Sequence, residues 1–104
     1  MRRGEVWLAE VGQKPRPVVV LTRDEVLDVR ANVTVAEITT QARGLAVEVP
    51  IGPKSGIVEP SVVNCDGIHT VAQRRLTRRL GLVDGAALDD TCTAVAVALG
   101  CDGL

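Results

Sequence analysis

Two prolines bracket one arginine near the start of this chain, in Lys14-Pro15-Arg16-Pro17, and an all-apolar run, Val18-Val19-Val20-Leu21, follows at once. Proline fixes its own φ and drives the residue before it into extended geometry. Arg16 is therefore expected at the mouth of a strand with little backbone freedom. Its guanidinium stays charged and presents five donors in a planar fork, which makes a held arginine a ready phosphate ligand and a poor general base. Thr39 adds a hydroxyl at the end of a β-branched run, where a threonine is ordinarily a strand former. His69 is the only histidine, and imidazole is the side chain suited to moving protons near neutrality. Arg74, Arg75, Arg78 and Arg79 make the one basic cluster, which reads either as a solvated face or as a surface that steers a nucleic-acid backbone.

These residues need elements to hold them. Residues 5–10 alternate as a half-buried strand, and residues 17–21, apolar on both faces, predict a central strand covered on both sides. One helical turn over 24–28 would take Thr22 or Asp24 as its cap. Strands follow over 32–40 and 45–49, the second ended by Pro50, and 51–56 is the most loop-like stretch. A strand over 58–65, bent near Pro60, leads to Asp66-Gly67, a turn signal. A short strand over 68–71, a turn or short helix over 73–76 and a strand over 78–82 complete the sheet. Asp84 caps a helix over 85–99, with Leu88, Cys92, Val95 and Leu99 on its buried face and Gly100 closing it. The expected architecture is α+β: a small twisted antiparallel sheet or partly closed barrel with a helix across it, one domain over residues 1–104.

The order of these segments resembles the MazF/PemK family of toxin endoribonucleases. The resemblance rests on Arg3-Gly4-Glu5-Val6-Trp7, on the Arg16-Pro17 strand, on Ile38-Thr39-Thr40-Gln41, on Ser61-Val62-Val63, and on Asp66-Gly67-Ile68-His69-Thr70. It implies an SH3-like barrel with added helices (the MazF/CcdB-like fold) that works as a homodimer, with single-stranded RNA lying across the dimer groove. It implies cleavage at a specific sequence without metal or other cofactor, leaving a cyclic phosphate and a 5′-hydroxyl, and a cognate antitoxin that blocks the groove with an extended acidic segment. By resemblance Arg16 and Thr39 are catalytic. His69 stands where many members have arginine or lysine, so it is either an acid or base or a phosphate-facing group. Gln13, Lys14, Gln41, Ser61, Arg74 and Arg75 are the candidate RNA contacts. Ser61 has no serine-hydrolase context, because no nucleophile elbow accompanies it. One departure stands out: only residues 11–15 separate the first two strands, where family members commonly carry a longer polar loop that shapes the groove.

Composition narrows the partners. A formal net charge of −1 gives no support to a non-specific nucleic-acid binder, which is usually strongly basic, so any RNA contact is local. Trp7 is the only aromatic residue, which removes a base-stacking platform. It also weighs against the alternative of a CcdB-like gyrase-binding toxin, in which a tryptophan near the C-terminus makes the poisoning contact. A catalytically silent binding module of the same fold is the third reading. Cys65, Cys92 and Cys101 are odd in number, without CxxC spacing, and read as reduced thiols of a cytoplasmic protein. No segment reads as a membrane span.

Overall fold

A computed structural model describes residues 1–103. Six antiparallel strands form one sheet: β1 (Glu5–Val11), β2 (Lys14–Val20), β3 (Asn32–Thr39), β4 (Glu48–Ile51), β5 (Ser61–Ala72) and β6 (Leu76–Leu82), in the spatial order β4-β5-β3-β2-β1-β6. Helix α1 (Asp24–Leu27) follows β2, and helix α2 (Gly85–Ala98) follows β6 and lies against β4 and β5.

The apolar run after Pro17 does what its composition requires. Val18, Val19 and Val20 have no exposed surface, because β2 is an inner strand with a core on each face. Val19 joins Val6, Ala36, Ile38, Val63 and Cys65 beneath α2. Val18 and Val20 join Ala9, Val33, Val35, Leu27 and Leu76 on the other side. Burying each valine stabilises the fold by roughly 1.5–3 kcal/mol, so β2 is firmly anchored behind Arg16.

The sheet stays open. Its edge strands β4 and β6 do not pair; instead a 3₁₀ turn, Pro53–Ser55, leaves β4 and reaches across to β6. Contact there is so close that a Cβ on Gly56 would run into the Leu80 carbonyl, and one on Gly81 into the Lys54 carbonyl. The twisted-sheet expectation therefore holds, and ladder closure into a barrel does not.

Four local expectations need correction. Asp66-Gly67 is not a turn: β5 runs straight through it, and the pairing with β3 jumps from Ala36↔Ile68 to Glu37↔Asn64, leaving three β5 residues bulged. Pairing with β3 on both sides overrides the local dipeptide signal. The strand expected over 45–49 and ended by Pro50 instead begins at Glu48 and runs through Pro50 to Ile51, as an edge strand allows. On α2 the buried positions are Thr91 and Ala94, and the expected Leu88 and Val95 pack partly buried against the same core, whereas Leu99, just past the end of the helix, is exposed. Neither expected side chain caps α1: Thr22 Oγ1 accepts from the Thr34 amide, and Asp24 Oδ1 from the Arg3 amide. At α2 the expectations hold, with Asp84 Oδ1 accepting from the Ala87 amide at 2.9 Å and Gly100 at φ +74°.

Candidate active site

One row of paired residues crosses all six strands and reads Glu48, Asn64, Glu37, Val18, Trp7, Arg79. Paired residues point to the same face of a sheet. Valine at its middle belongs to the core, while the polar residues on the β4 side open into a cleft. Two residues beyond the last β2–β3 pair, the same register brings Arg16 and Thr39 to one side of that row. The cleft, about 640 Å³, is lined by Arg16 and its flanking prolines from β2, by Glu37 and Thr39 from β3, by Gln41 and Arg43 beyond it, and by Glu48 and Asn64.

Arg16 is half exposed and pairs with one carboxylate: its Nη1 lies 3.4 Å from Glu37 Oε1. The other oxygen, Glu37 Oε2, is hydrogen-bonded to His69 Nε2 at 2.7 Å. Glu37 thus bridges the arginine and the histidine. Gly67, within the β5 bulge, leaves room for the bridge: a Cβ there would stand 2.9 Å from Glu37 Oε2 and press on the carboxylate. Thr39 Oγ1 accepts from the Gln41 amide at 3.0 Å, which leaves its own hydroxyl proton free to donate. Glu48 fastens the far wall. Its carboxylate accepts from the amides of Leu45 and Arg43, and these bonds, the one from Leu45 first, hold its pKa below the ordinary glutamate value.

The predicted residues sort by position. Arg16, Thr39 and Gln41 share the cleft. His69 stands behind Glu37 and touches it without lining the cleft. Gln13 and Lys14 sit at the β1–β2 hairpin tip, beside Pro15, which the tip and the cleft share. That tip is a two-residue turn with Gly12 at φ +72°, the type II′ geometry that suits a tight hairpin. Ser61 lies outside the cleft: it is buried at the start of β5 and spends its hydroxyl on the Glu59 carbonyl. Arg74 and Arg75 occupy the 3₁₀ turn between β5 and β6, away from the cleft lining. Glu37 was missed by sequence reasoning. Its signal was available, as a charged residue inside the otherwise apolar and β-branched stretch 33–39.

The PemK-like, MazF-like toxins of type II toxin–antitoxin systems match this sequence over residues 2–99. The chain belongs to that family. Endoribonuclease MazF3 of Mycobacterium tuberculosis is 50% identical over 65% of this chain and 66% of its own length. Probable endoribonuclease MazF2 of the same organism is 37% identical over 97% of this chain and the whole of its own. Among solved structures, the Mycobacterium tuberculosis toxin MazF-mt6 superposes with a TM-score of 0.86 at 38% identity, covering 92% of this chain and 96% of that one. A mycobacterial endoribonuclease in complex with its cognate antitoxin gives 0.87 at 29% identity, covering 96% and 95%. The MazF/PemK resemblance is thereby established, together with an antiparallel sheet and C-terminal helix that match the MazF toxin structures, the sheet being open rather than a closed barrel; the CcdB-like alternative is not favoured. No helix among the described residues is long and apolar enough to cross a membrane.

Proposed function

We propose that this MazF-family toxin is an endoribonuclease that cuts single-stranded RNA in the cleft between β2 and β3. RNA carries its own nucleophile, the 2′-hydroxyl. The protein has only to align that oxygen with the phosphorus, move protons and stabilise the charge of the phosphorane. Arg16 supplies the charge, and the free Thr39 proton supplies a second donor to a non-bridging oxygen. The products are then a 2′,3′-cyclic phosphate and a 5′-hydroxyl, with no metal in the reaction. Gln41 at the rim, with Gln13 and Lys14 at the hairpin tip, would contact flanking nucleotides. Arg74 and Arg75 would act at longer range on the phosphate backbone, with salt-sensitive affinity.

The observation that carries this reading is the meeting of Arg16 and Thr39, from different strands, in one open cleft. A homodimer formed in the cytoplasm, with a cognate antitoxin laying an acidic segment over the cleft, completes the proposal. Incubation with a long single-stranded RNA in EDTA tests it. Cuts at one short motif, ending in cyclic phosphate, are expected. Intact RNA across several sequences would leave the silent binding module as the better reading.

A further inference from the structure

Arg16 and Thr39 stabilise charge but take no proton, and the reaction needs a group that does. His69 is not among the residues that line the cleft, and its Nε2 is engaged by Glu37. The carboxylates that do are Glu37 and Glu48. Glu48 is spent: backbone amides occupy its oxygens and tie it to the loop that it braces. Glu37 is differently placed. Its partners are both side chains, Arg16 and His69. The short bond from His69 Nε2 fixes Oε2, and this orients the carboxylate so that Oε1 is the oxygen on the Arg16 side. The 3.4 Å separation from Arg16 Nη1 is longer than a good N–H···O bond, so Oε1 keeps lone-pair capacity for another hydrogen.

We infer that Glu37 is the general base of this site: Oε1 accepts the 2′-hydroxyl proton while His69 and the gap at Gly67 hold the carboxylate in place. The inference rests on the proposed ribonuclease activity. In the step, the proton passes from O2′ to Glu37, and the O2′ electron pair forms the new bond to phosphorus. The P–O5′ bond breaks with its electron pair leaving on O5′, which takes a proton from water. Glu37 then returns its own proton to solvent. Arg16 beside Oε1 sets the phosphate next to the base, so one short stretch of β2 and β3 carries both demands of the reaction. His69 is on this account a positioning residue.

The test uses the RNA motif cut by the wild-type protein, in EDTA. Glu37→Gln is expected to slow single-turnover cleavage at least 100-fold, the usual contribution of a general base. It should bind the same RNA carrying a 2′-deoxy nucleotide at the cut site as tightly as wild type or more tightly. The deficit should persist on a substrate with sulfur in place of the bridging 5′-oxygen, since that leaving group needs no acid. Gly67→Ala, which crowds Oε2, should also lower the rate with deoxy-RNA binding retained, and it carries the test if Glu37→Gln fails to fold. Wild-type cleavage by both variants overturns the inference, as does recovery of Glu37→Gln on the sulfur substrate, which would make Glu37 an acid. Tighter binding at an unchanged rate also overturns it, leaving Glu37 a mere competitor for Arg16. A wild-type protein that cuts no RNA would instead sink the ribonuclease reading itself.

Discussion

Replacing Arg16 with alanine should separate activity from stability by a wide margin. The side chain is 52% exposed and its one ion pair, to Glu37, spans 3.4 Å. Exposed pairs of that kind contribute about 0–1 kcal/mol to folding. For a domain of this size, that loss shifts the melting midpoint by at most about 4–8 °C. The backbone keeps its geometry, because Pro15 and Pro17 remain and Val18 to Val20 stay buried. Transition-state charge is another matter: losing one preorganised donor to a developing oxyanion costs about 10²–10³ in rate, or about 2.7–4 kcal/mol. Arg16→Lys should fall between, since a lysine keeps the charge but loses the planar fork. Single-turnover RNA cleavage and thermal unfolding on the same preparations give both numbers, and growth arrest on expression gives a third. The reasoning fails if Arg16→Ala cuts RNA and arrests growth like wild type. It also fails if the variant melts far more than 8 °C lower, for then Arg16 would be a structural residue.

Other outcomes follow from features nearer the edges of the molecule. Gly81→Ala should unfold at markedly lower denaturant than wild type, because the new methyl meets the Lys54 carbonyl at the β6 seam; an unchanged midpoint would refute that close approach. Asp84→Ala removes the α2 cap and should cost about 1 kcal/mol in denaturant unfolding. Glu48 titrates below its ordinary value when folded, so its support is present above the unfolded-state pKa and is lost as pH falls through the lower folded one. Glu48→Gln should therefore be less stable than wild type at neutral pH, and the gap should close in acid; a gap that widens in acid would contradict the sign. Burial pushes the Cys65 thiol up to about 11. Alkylation at neutral pH should take exposed Cys101 first and reach Cys65 only on unfolding, as mass spectrometry would register.

Much of this molecule was legible where neighbours in sequence are neighbours in space. The valines after Pro17 announce an inner strand, and Asp84 and Gly100 announce both ends of α2. Reading failed where the deciding partner is distant. Asp66-Gly67 is a turn in isolation and a bulge beside β3, because the ladder on either side is worth more than one dipeptide's preference. Leu99 fits the helical period but misses the core, since α2 ends at Ala98 and leaves it as the exposed cap, while Leu88 and Val95 on the same stripe do pack. Arg16 was legible from its two prolines, the role of Thr39 came from the resemblance, and the register explains their meeting. Glu37 came from neither, because its two partners lie on other strands, His69 being 32 residues away.

The cleft draws on elements of unequal permanence. Arg16 and Glu37 stand on β2 and β3, the two central strands of the six, each strand having a neighbour on both sides and carrying valines with no exposed surface. The hairpin tip at Gly12-Gln13 and the loop braced by Glu48 form the rim, one secured by a two-residue turn and the other by a single carboxylate. Residues added at a hairpin end lengthen the loop without shifting the pairs behind it. On the proposed ribonuclease reading, the residues that would break a bond are thus insulated from those that would choose which bond. On that same reading, a lineage built on this scaffold would acquire new target sequences by changing its rim, generation after generation, while the chemistry beneath stays where it was.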